Sequence, residues 1–101
     1  MIIPKKIKIG AYEYKIIYTE DHARIGSFFG EIDNETQKIF LTSERHIKQQ
    51  AIEQAFLHEI LHGIWKDKGL HQSDLKDKEE QIVTALSLGL YQVLIDNKLL
   101  K

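Results

Sequence analysis

The chain has 101 residues, of which 43% are hydrophobic and 29% are charged, and these values are typical of one globular domain. Its 14 Lys+Arg and 15 Asp+Glu residues give a net charge of -1, so charge provides no reason to expect binding to nucleic acid or an anionic membrane. The absence of cysteine excludes disulfides, cysteine-type zinc fingers and thiol nucleophiles. No apolar run approaches the roughly 18 residues of a transmembrane helix, and the first residues lack the charge order of a signal peptide. We therefore expect a single cytoplasmic domain over residues 1–101.

Residues 1–42 are predicted to be rich in β-strands. Apolar and charged side chains alternate with a period of two between Ile7 and Tyr18, and Gly10 and Ala11 supply a turn between two strands. Alternation around such a turn predicts an antiparallel β-hairpin. The rest of this segment is interpreted as a loop at 20–27 and a second hairpin with strands at 28–32 and 38–42 around a polar turn at 33–37.

Two helices are predicted after these strands. Over residues 43–68 the apolar positions follow a helical period, with Ser43 as a candidate N-cap and Gly69 as a C-terminal stop. Apolar residues cover most of the circumference of this helix, which indicates a central helix packed on several sides. A second helix over residues 73–98 has two candidate N-caps, Ser73 and Asp74. The predicted fold is therefore α+β, with antiparallel hairpins or a meander packed on the central helix and a second C-terminal helix.

The central helix carries the pattern H-E-x-x-H at residues 58–62. Because four residues make just over one helical turn, His58 and His62 project from one face and can bind one zinc ion. Glu59 lies beside the first of these ligands and can act as the general base for a metal-activated water without binding the metal. The alternative is a hydrogen-bonded pair of core histidines. Burying two imidazoles and a carboxylate on so apolar a helix is costly, however, and a metal would compensate for that cost.

A third ligand is expected at the start of the second helix, where Glu79 and Glu80 are adjacent. Acidic residues also favour a helix N-terminus for electrostatic reasons alone, which can account for one of the two. Glu80 shares a helix face with the small residues Thr84 and Ser87, which would allow the second helix to approach the metal helix closely. Glu80 is therefore the preferred third ligand for one Zn²⁺ per chain, and Glu79 is the alternative.

These stretches resemble the zinc metallopeptidases of the gluzincin type, and more narrowly the ImmA/IrrE-like metallopeptidases and their small phage and prophage relatives. The resemblance covers nearly the whole chain, and its matching stretches are residues 54–64 and 79–86, continuing through 89–97. It implies a minimal zincin-like domain in the cytoplasm of a bacterial or phage-infected cell. It also implies zinc on His58, His62 and a helix glutamate, matched here to Glu80, with Glu59 as the catalytic residue.

The leading hypothesis is a zinc-dependent endopeptidase that hydrolyses peptide bonds in a narrow range of protein substrates. Such a peptidase would bind its substrate by strand addition along an edge strand, for which Lys38–Thr42 is the best candidate. The alternatives are a zinc-stabilised protein-binding module, an inactive peptidase homologue, or a hydrolase of a substrate other than peptide. We expect a monomer or a weak homodimer formed through exposed hairpin edges. The candidates for stabilising an oxyanion are His46, His71 and Tyr91, and His22 has no assigned role.

Overall fold

The computed structural model of this chain describes residues 1–21 and 29–100. Most of the predicted loop at 20–27, together with Phe28 and His22, lies outside the described residues. The described strands and α-helices are β1 (Lys6–Ile9), β2 (Tyr12–Thr19), β3 (Gly30–Asp33), β4 (Lys38–Thr42), α1 (Gln49–Asp67) and α2 (Glu79–Asp96). Two short 3-10 helices, Leu70–Gln72 and Lys76–Lys78, connect α1 to α2. In this part of the chain, neither α-helix combines the length and apolar character needed to cross a membrane.

The four strands form one mixed sheet in the order β1-β2-β4-β3. Both predicted hairpins are confirmed, because β1 pairs with β2 and β3 pairs with β4 in antiparallel fashion. The prediction of an antiparallel meander is wrong, because β2 pairs in parallel with β4. The reason is burial: Ile39 and Leu41 of β4 are fully buried and favour the interior of the sheet, whereas β3 carries the charged residues Glu31 and Asp33.

The central position of β4 also changes which strand is available as an edge. Lys38–Thr42 is hydrogen-bonded to a strand on each side, so its prediction as the substrate-binding edge strand is wrong. Within the described residues β3 has a partner on one side only, which makes Gly30–Asp33 an edge strand. This edge faces α1, since Ile32 donates its backbone N–H to Glu59 of that helix.

Helix α1 packs across the sheet and forms the core with it. The helix approaches the strands closely at Gly63, where a Cβ atom would lie 2.7 Å from Ile9 Cδ1 and 2.9 Å from Ile32 Cδ1. A larger residue here would have to displace the side chains of Ile9 in β1 and Ile32 in β3. The buried hydrophobic cluster between sheet and helix comprises Ile9, Tyr14, Ile16, Ile39, Leu41, Ile52, Ala55 and Phe56.

The predicted start of α1 is wrong, whereas its predicted end is confirmed. The helix begins at Gln49 and not near Ser43, because the backbone N–H of Ser43 donates to the Thr19 carbonyl and extends the β2–β4 pairing. Ser43 is therefore not the N-cap. The predicted stop is confirmed: the helix ends at Asp67, and Gly69 follows with φ +77°, a left-handed conformation that glycine adopts without a steric penalty.

Helix α2 packs antiparallel against α1. Glu53 near the start of α1 contacts Tyr91 near the end of α2, and His62 near the end of α1 contacts Glu79 at the start of α2. Helix α2 begins at Glu79 and not at the predicted caps, since the Ser73 hydroxyl instead accepts the N–H of Leu75 in the connection between the helices. Its buried face is Val83, Ser87 and Tyr91. The apolar residues Leu86, Leu90 and Val93 of this helix are exposed.

Candidate metal centre

Two histidine side chains project from α1 toward α2. The Nε2 atoms of His58 and His62 lie 3.1 Å apart, and the ring centroids are 4.7 Å apart with 68° between the ring planes. His58 is buried and His62 is partly buried, so both imidazoles are largely withdrawn from water. The i, i+4 spacing on one helix therefore aims two ring nitrogens at the same point.

Glu80 of α2 completes a group of three. Its Oε1 lies 2.9 Å from His58 Nε2, and its Oε2 lies 2.9 Å from His62 Nε2. Each of the three residues offers one ligand atom, and these atoms all lie within 4.8 Å of one another. Ligand atoms at about 2.1 Å from a tetrahedral zinc ion lie about 3.4 Å from one another, so only small side-chain adjustments are needed to bind it.

Glu79 contacts the opposite side of the His62 ring. Its Oε2 lies 2.6 Å from His62 Nδ1, whereas the Nε2 of the same ring faces His58 and Glu80. A carboxylate at this position accepts the Nδ1–H and leaves the Nε2 lone pair for a metal ion. Glu79 and Glu80 thus reach the same imidazole from two sides, and of the two only Glu80 is on the side that faces His58.

The electrostatics of this group favour a proton or a metal ion between its members. With Nδ1–H bound to Glu79, a neutral His62 would place its Nε2 lone pair 2.9 Å from an oxygen of the Glu80 carboxylate. Two electron pairs at that distance repel unless a proton or a metal ion lies between them. Burial lowers the pKa of His58, and Glu80 opposes that effect without reversing it. A neutral His58 is the form that binds a metal, and two imidazoles with one carboxylate are ligands that suit zinc.

Glu59 lies next to this group but points toward the sheet. It is 5% exposed, its Oε1 accepts the backbone N–H of Ile32 at 2.9 Å, and its Oε2 lies 3.9 Å from His58 Nε2. Burial raises the pKa of Glu59 to about 7, although His62 and the Ile32 N–H act in the opposite direction. A carboxylate with a pKa near neutrality is suited to accepting and returning a proton at neutral pH.

The free edge of β3 runs past Glu59. Because Thr42 donates its N–H to the Phe29 carbonyl, alternate residues along β3 direct their backbone groups toward β4, and Gly30 and Ile32 direct theirs away from it. A Cβ atom at Gly30 would lie 3.4 Å from Glu59 Cγ, which shows how closely the strand approaches this side chain. The Ile32 N–H on this edge is bonded to Glu59, so the groups that an extended peptide could pair with are the N–H and C=O of Gly30 and the C=O of Ile32.

The three residues considered for stabilising an oxyanion have contacts outside the group formed by His58, His62 and Glu80. His46 is exposed and lies 3.3 Å from Glu44, whereas the Tyr91 hydroxyl donates to buried Glu53 at 2.7 Å. Neither contact involves the three converging residues. His71 is exposed and lines a separate cavity.

Two contacts at the centre were not predicted from the sequence. They are the bond from the backbone of Ile32 to Glu59 and the 3.3 Å bond from the Thr84 hydroxyl to Glu80 Oε1. The contact between Thr84 and Glu80 could have been predicted from their spacing, because residues four apart are neighbours on a helix. Nothing in the sequence pattern predicts the hydrogen bond from the Ile32 N–H to Glu59.

Comparison of the chain with protein-family models, with curated proteins and with solved structures found no match.

Proposed function

We propose that this chain is a zincin-like peptidase that binds one zinc ion through His58, His62 and Glu80 and uses Glu59 as its general base. The observation that carries the proposal is the convergence of the two Nε2 atoms and the Glu80 carboxylate beside the buried carboxylate of Glu59. The resemblance to small ImmA/IrrE-like metallopeptidases supports the same assignment, and from it we expect action in a bacterial or phage-infected cytoplasm.

Zinc, when held by these three residues, would supply a Lewis acid that polarises a carbonyl and lowers the pKa of water. Glu59 would accept the proton of the attacking water on its free Oε2 and pass it to the leaving amine. The outward-facing N–H and C=O of Gly30 and the C=O of Ile32 would bind the substrate in extended form by strand addition, while the Ile32 N–H remains bonded to Glu59. Glu79 would hold the His62 ring in the orientation and tautomer that the metal requires.

The number of residues that converge on one point favours a catalytic site over a purely structural one. Structural zinc sites are usually closed by four protein ligands, whereas catalytic sites keep one position open. In the part of the chain that the structure describes, three residues converge, and Glu59 is directed toward β3 and away from them. An open position beside a general base is the arrangement that hydrolysis needs.

The proposal is tested by measuring zinc per chain and hydrolysis of a mixed peptide library on the same preparations. We expect about one zinc per chain and hydrolysis in the wild type, both lost in His58→Ala. Glu59→Gln should retain zinc and lose hydrolysis, because the amide cannot accept the proton. His46→Ala is the matched control, since it removes an exposed histidine outside the group, and it should change neither measurement.

Two results would contradict the proposal. A folded wild type that takes up no added zinc, or a His58→Ala variant with unchanged zinc, would overturn the metal centre. Stoichiometric zinc without hydrolysis in any library would instead favour the zinc-stabilised binding module or an inactive peptidase homologue.

A further inference from the structure

A cavity of about 210 Å³ opens directly beside the candidate metal centre, and we name it the apolar cavity. One of its walls is His58 itself, so the cavity begins at a proposed metal ligand. Ala51 and Ala55 belong to the same face of α1 as His58, at the i, i+4 and i+7 positions of one helical stripe, and Gln54 of this helix also lines the cavity. The small size of these two alanines leaves the space open.

The opposite walls come from α2 and from the residue before β3. They are formed by Thr84, Ser87 and Leu88 of α2 and by Phe29. The two hydroxyls already have acceptors within the protein: Ser87 donates to the Thr84 carbonyl, and Thr84 donates to Glu80. An apolar occupant would therefore leave neither hydroxyl without a partner, while it would contact Phe29 and Leu88.

The size of the apolar cavity suits a large side chain. A cavity of roughly 150 Å³ lined by aliphatic and aromatic residues is enough to hold benzene in a protein interior. At about 210 Å³ the apolar cavity has room for a leucine, methionine or phenylalanine side chain.

The apolar cavity lies at one end of β3, where a peptide bound along this strand would reach it. Phe29, in its wall, immediately precedes Gly30, the first residue of the edge strand. A second cavity lies beyond the other end of β3, where Asn34 lines it together with the charged residues Lys66 and Asp67. An extended peptide along β3 would thus have an apolar cavity at one end and a polar one at the other. Only the apolar cavity includes a residue of the metal centre.

From this geometry, and resting on the proposed peptidase function, we infer that the apolar cavity binds a large apolar side chain of the substrate next to the scissile bond. The substrate class is therefore peptides with leucine, methionine or phenylalanine at that position. Ala51 and Leu88 determine this preference, because one leaves the space open and the other supplies apolar contact.

The inference is tested with two hydroxamates, which bind zinc and differ in the apolar group that they carry. We expect the zinc-loaded chain to bind 3-phenylpropanohydroxamate at least about tenfold more tightly than acetohydroxamate, as is usual for apolar groups in a fitting pocket. Ala51→Phe should abolish this difference by filling the cavity, without weakening acetohydroxamate binding. Ala85→Phe adds the same ring on an exposed part of α2 outside the cavity and should leave the difference unchanged.

A second pair of variants tests the opposite wall of the cavity by removing side-chain atoms from α2. Leu88→Ala should reduce the preference for the phenyl compound, whereas Leu86→Ala should not, because both leucines are exposed but only Leu88 lines the cavity. The cleavage profile should change in parallel, with Ala51→Phe shifting the preference toward glycine, alanine or serine.

The possible failures separate this inference from the proposed function. Zinc binding and hydrolysis with no preference between the two hydroxamates would overturn the role of the apolar cavity and leave the peptidase assignment standing. A preference that persists in both Ala51→Phe and Leu88→Ala would also overturn it. A chain that binds neither zinc nor acetohydroxamate would overturn the metal centre and this inference with it.

Discussion

Glu79 Oε2 lies 2.6 Å from His62 Nδ1, on the side of the imidazole opposite the Nε2 that faces His58 and Glu80. Adjacent glutamates on α2 thus contact the two nitrogens of one ring. Carboxylates that accept the second N–H of a metal-binding histidine orient the ring and increase its basicity. The pair Glu79–Glu80 would supply both the support and the ligand from one turn of helix.

Glu79→Ala should weaken zinc binding by about 10- to 100-fold while leaving the stoichiometry at one per chain when zinc is in excess. The reason is that the His62 ring loses its orienting partner but keeps its Nε2. Competition with a chromophoric chelator measures the affinity. Asp77→Ala removes a nearby exposed acid from the 3-10 helix before α2 and should have no comparable effect.

Glu80→Ala should weaken zinc binding more than Glu79→Ala, because it removes a proposed ligand and not a supporting contact. The same chelator competition applied to both variants gives the order directly. If Glu79→Ala were the more damaging, the roles assigned to the two glutamates would be reversed.

Tyr91→Phe should lower the free energy of unfolding by about 1–3 kcal/mol, the usual cost of leaving a buried polar group without its partner. Tyr91 donates to Glu53 Oε1 at 2.7 Å, and both side chains are buried. Trp65, the one tryptophan of the sequence, is 5% exposed, so its fluorescence reports unfolding in urea. Tyr12→Phe is the control, because Tyr12 is exposed and should change stability by less than about 0.5 kcal/mol.

The stabilising effect of Tyr91 should also disappear at alkaline pH. Burial, followed by the contact with Glu53, raises the pKa of Tyr91 from 10.0 to about 12. A raised folded-state pKa stabilises the fold fully below pH 10, and this stabilisation is lost as pH rises toward 12. The stability difference between wild type and Tyr91→Phe should therefore shrink over this range, by up to about 1.4 kcal/mol per pH unit. A constant difference would contradict the assignment.

Gly63 and Gly89 allow a matched test of the close approach between α1 and the sheet. Gly89→Ala should raise the free energy of unfolding by about 0.5–1 kcal/mol, because nothing lies within 4 Å of the added Cβ and alanine favours a helix. Gly63→Ala gains the same propensity but must displace Ile9 and Ile32, so it should be less stable than Gly89→Ala by about 1–2 kcal/mol. Urea unfolding of both variants measures this difference, and equal values would show that the isoleucines adjust freely.

Features set by neighbours in the sequence were predictable. The first hairpin follows from alternation around Gly10, which has φ +61° in the turn, and α1 ends at Asp67 just before Gly69 as expected. The convergence of His58 and His62 likewise needs only a helix, because residues four apart share one face. In each case the deciding interactions join residues at most nine positions apart in the sequence.

Features that depend on distant parts of the chain were not predictable. Ser43 is a reasonable N-cap by type, but its backbone pairs with Thr19 and the helix begins six residues later. Ser87 is buried, as the expected close approach of its helix face to α1 requires, but the sequence carries no signal for the exposure of the strongly apolar Leu86. The inner face is the one on which Glu53 meets Tyr91, and no property of α2 alone reveals that contact.

Two hairpins, two helices and the two-histidine motif of an α+β chain can be predicted from local sequence patterns, because turns, caps and helical spacing depend on local backbone geometry. Long-range packing, in contrast, places β4 between β2 and β3, makes β3 the edge beside Glu59, and puts Glu79 and Glu80 on opposite sides of His62. These arrangements depend on which surfaces become buried together, and many packings of the same elements satisfy the local pattern equally well.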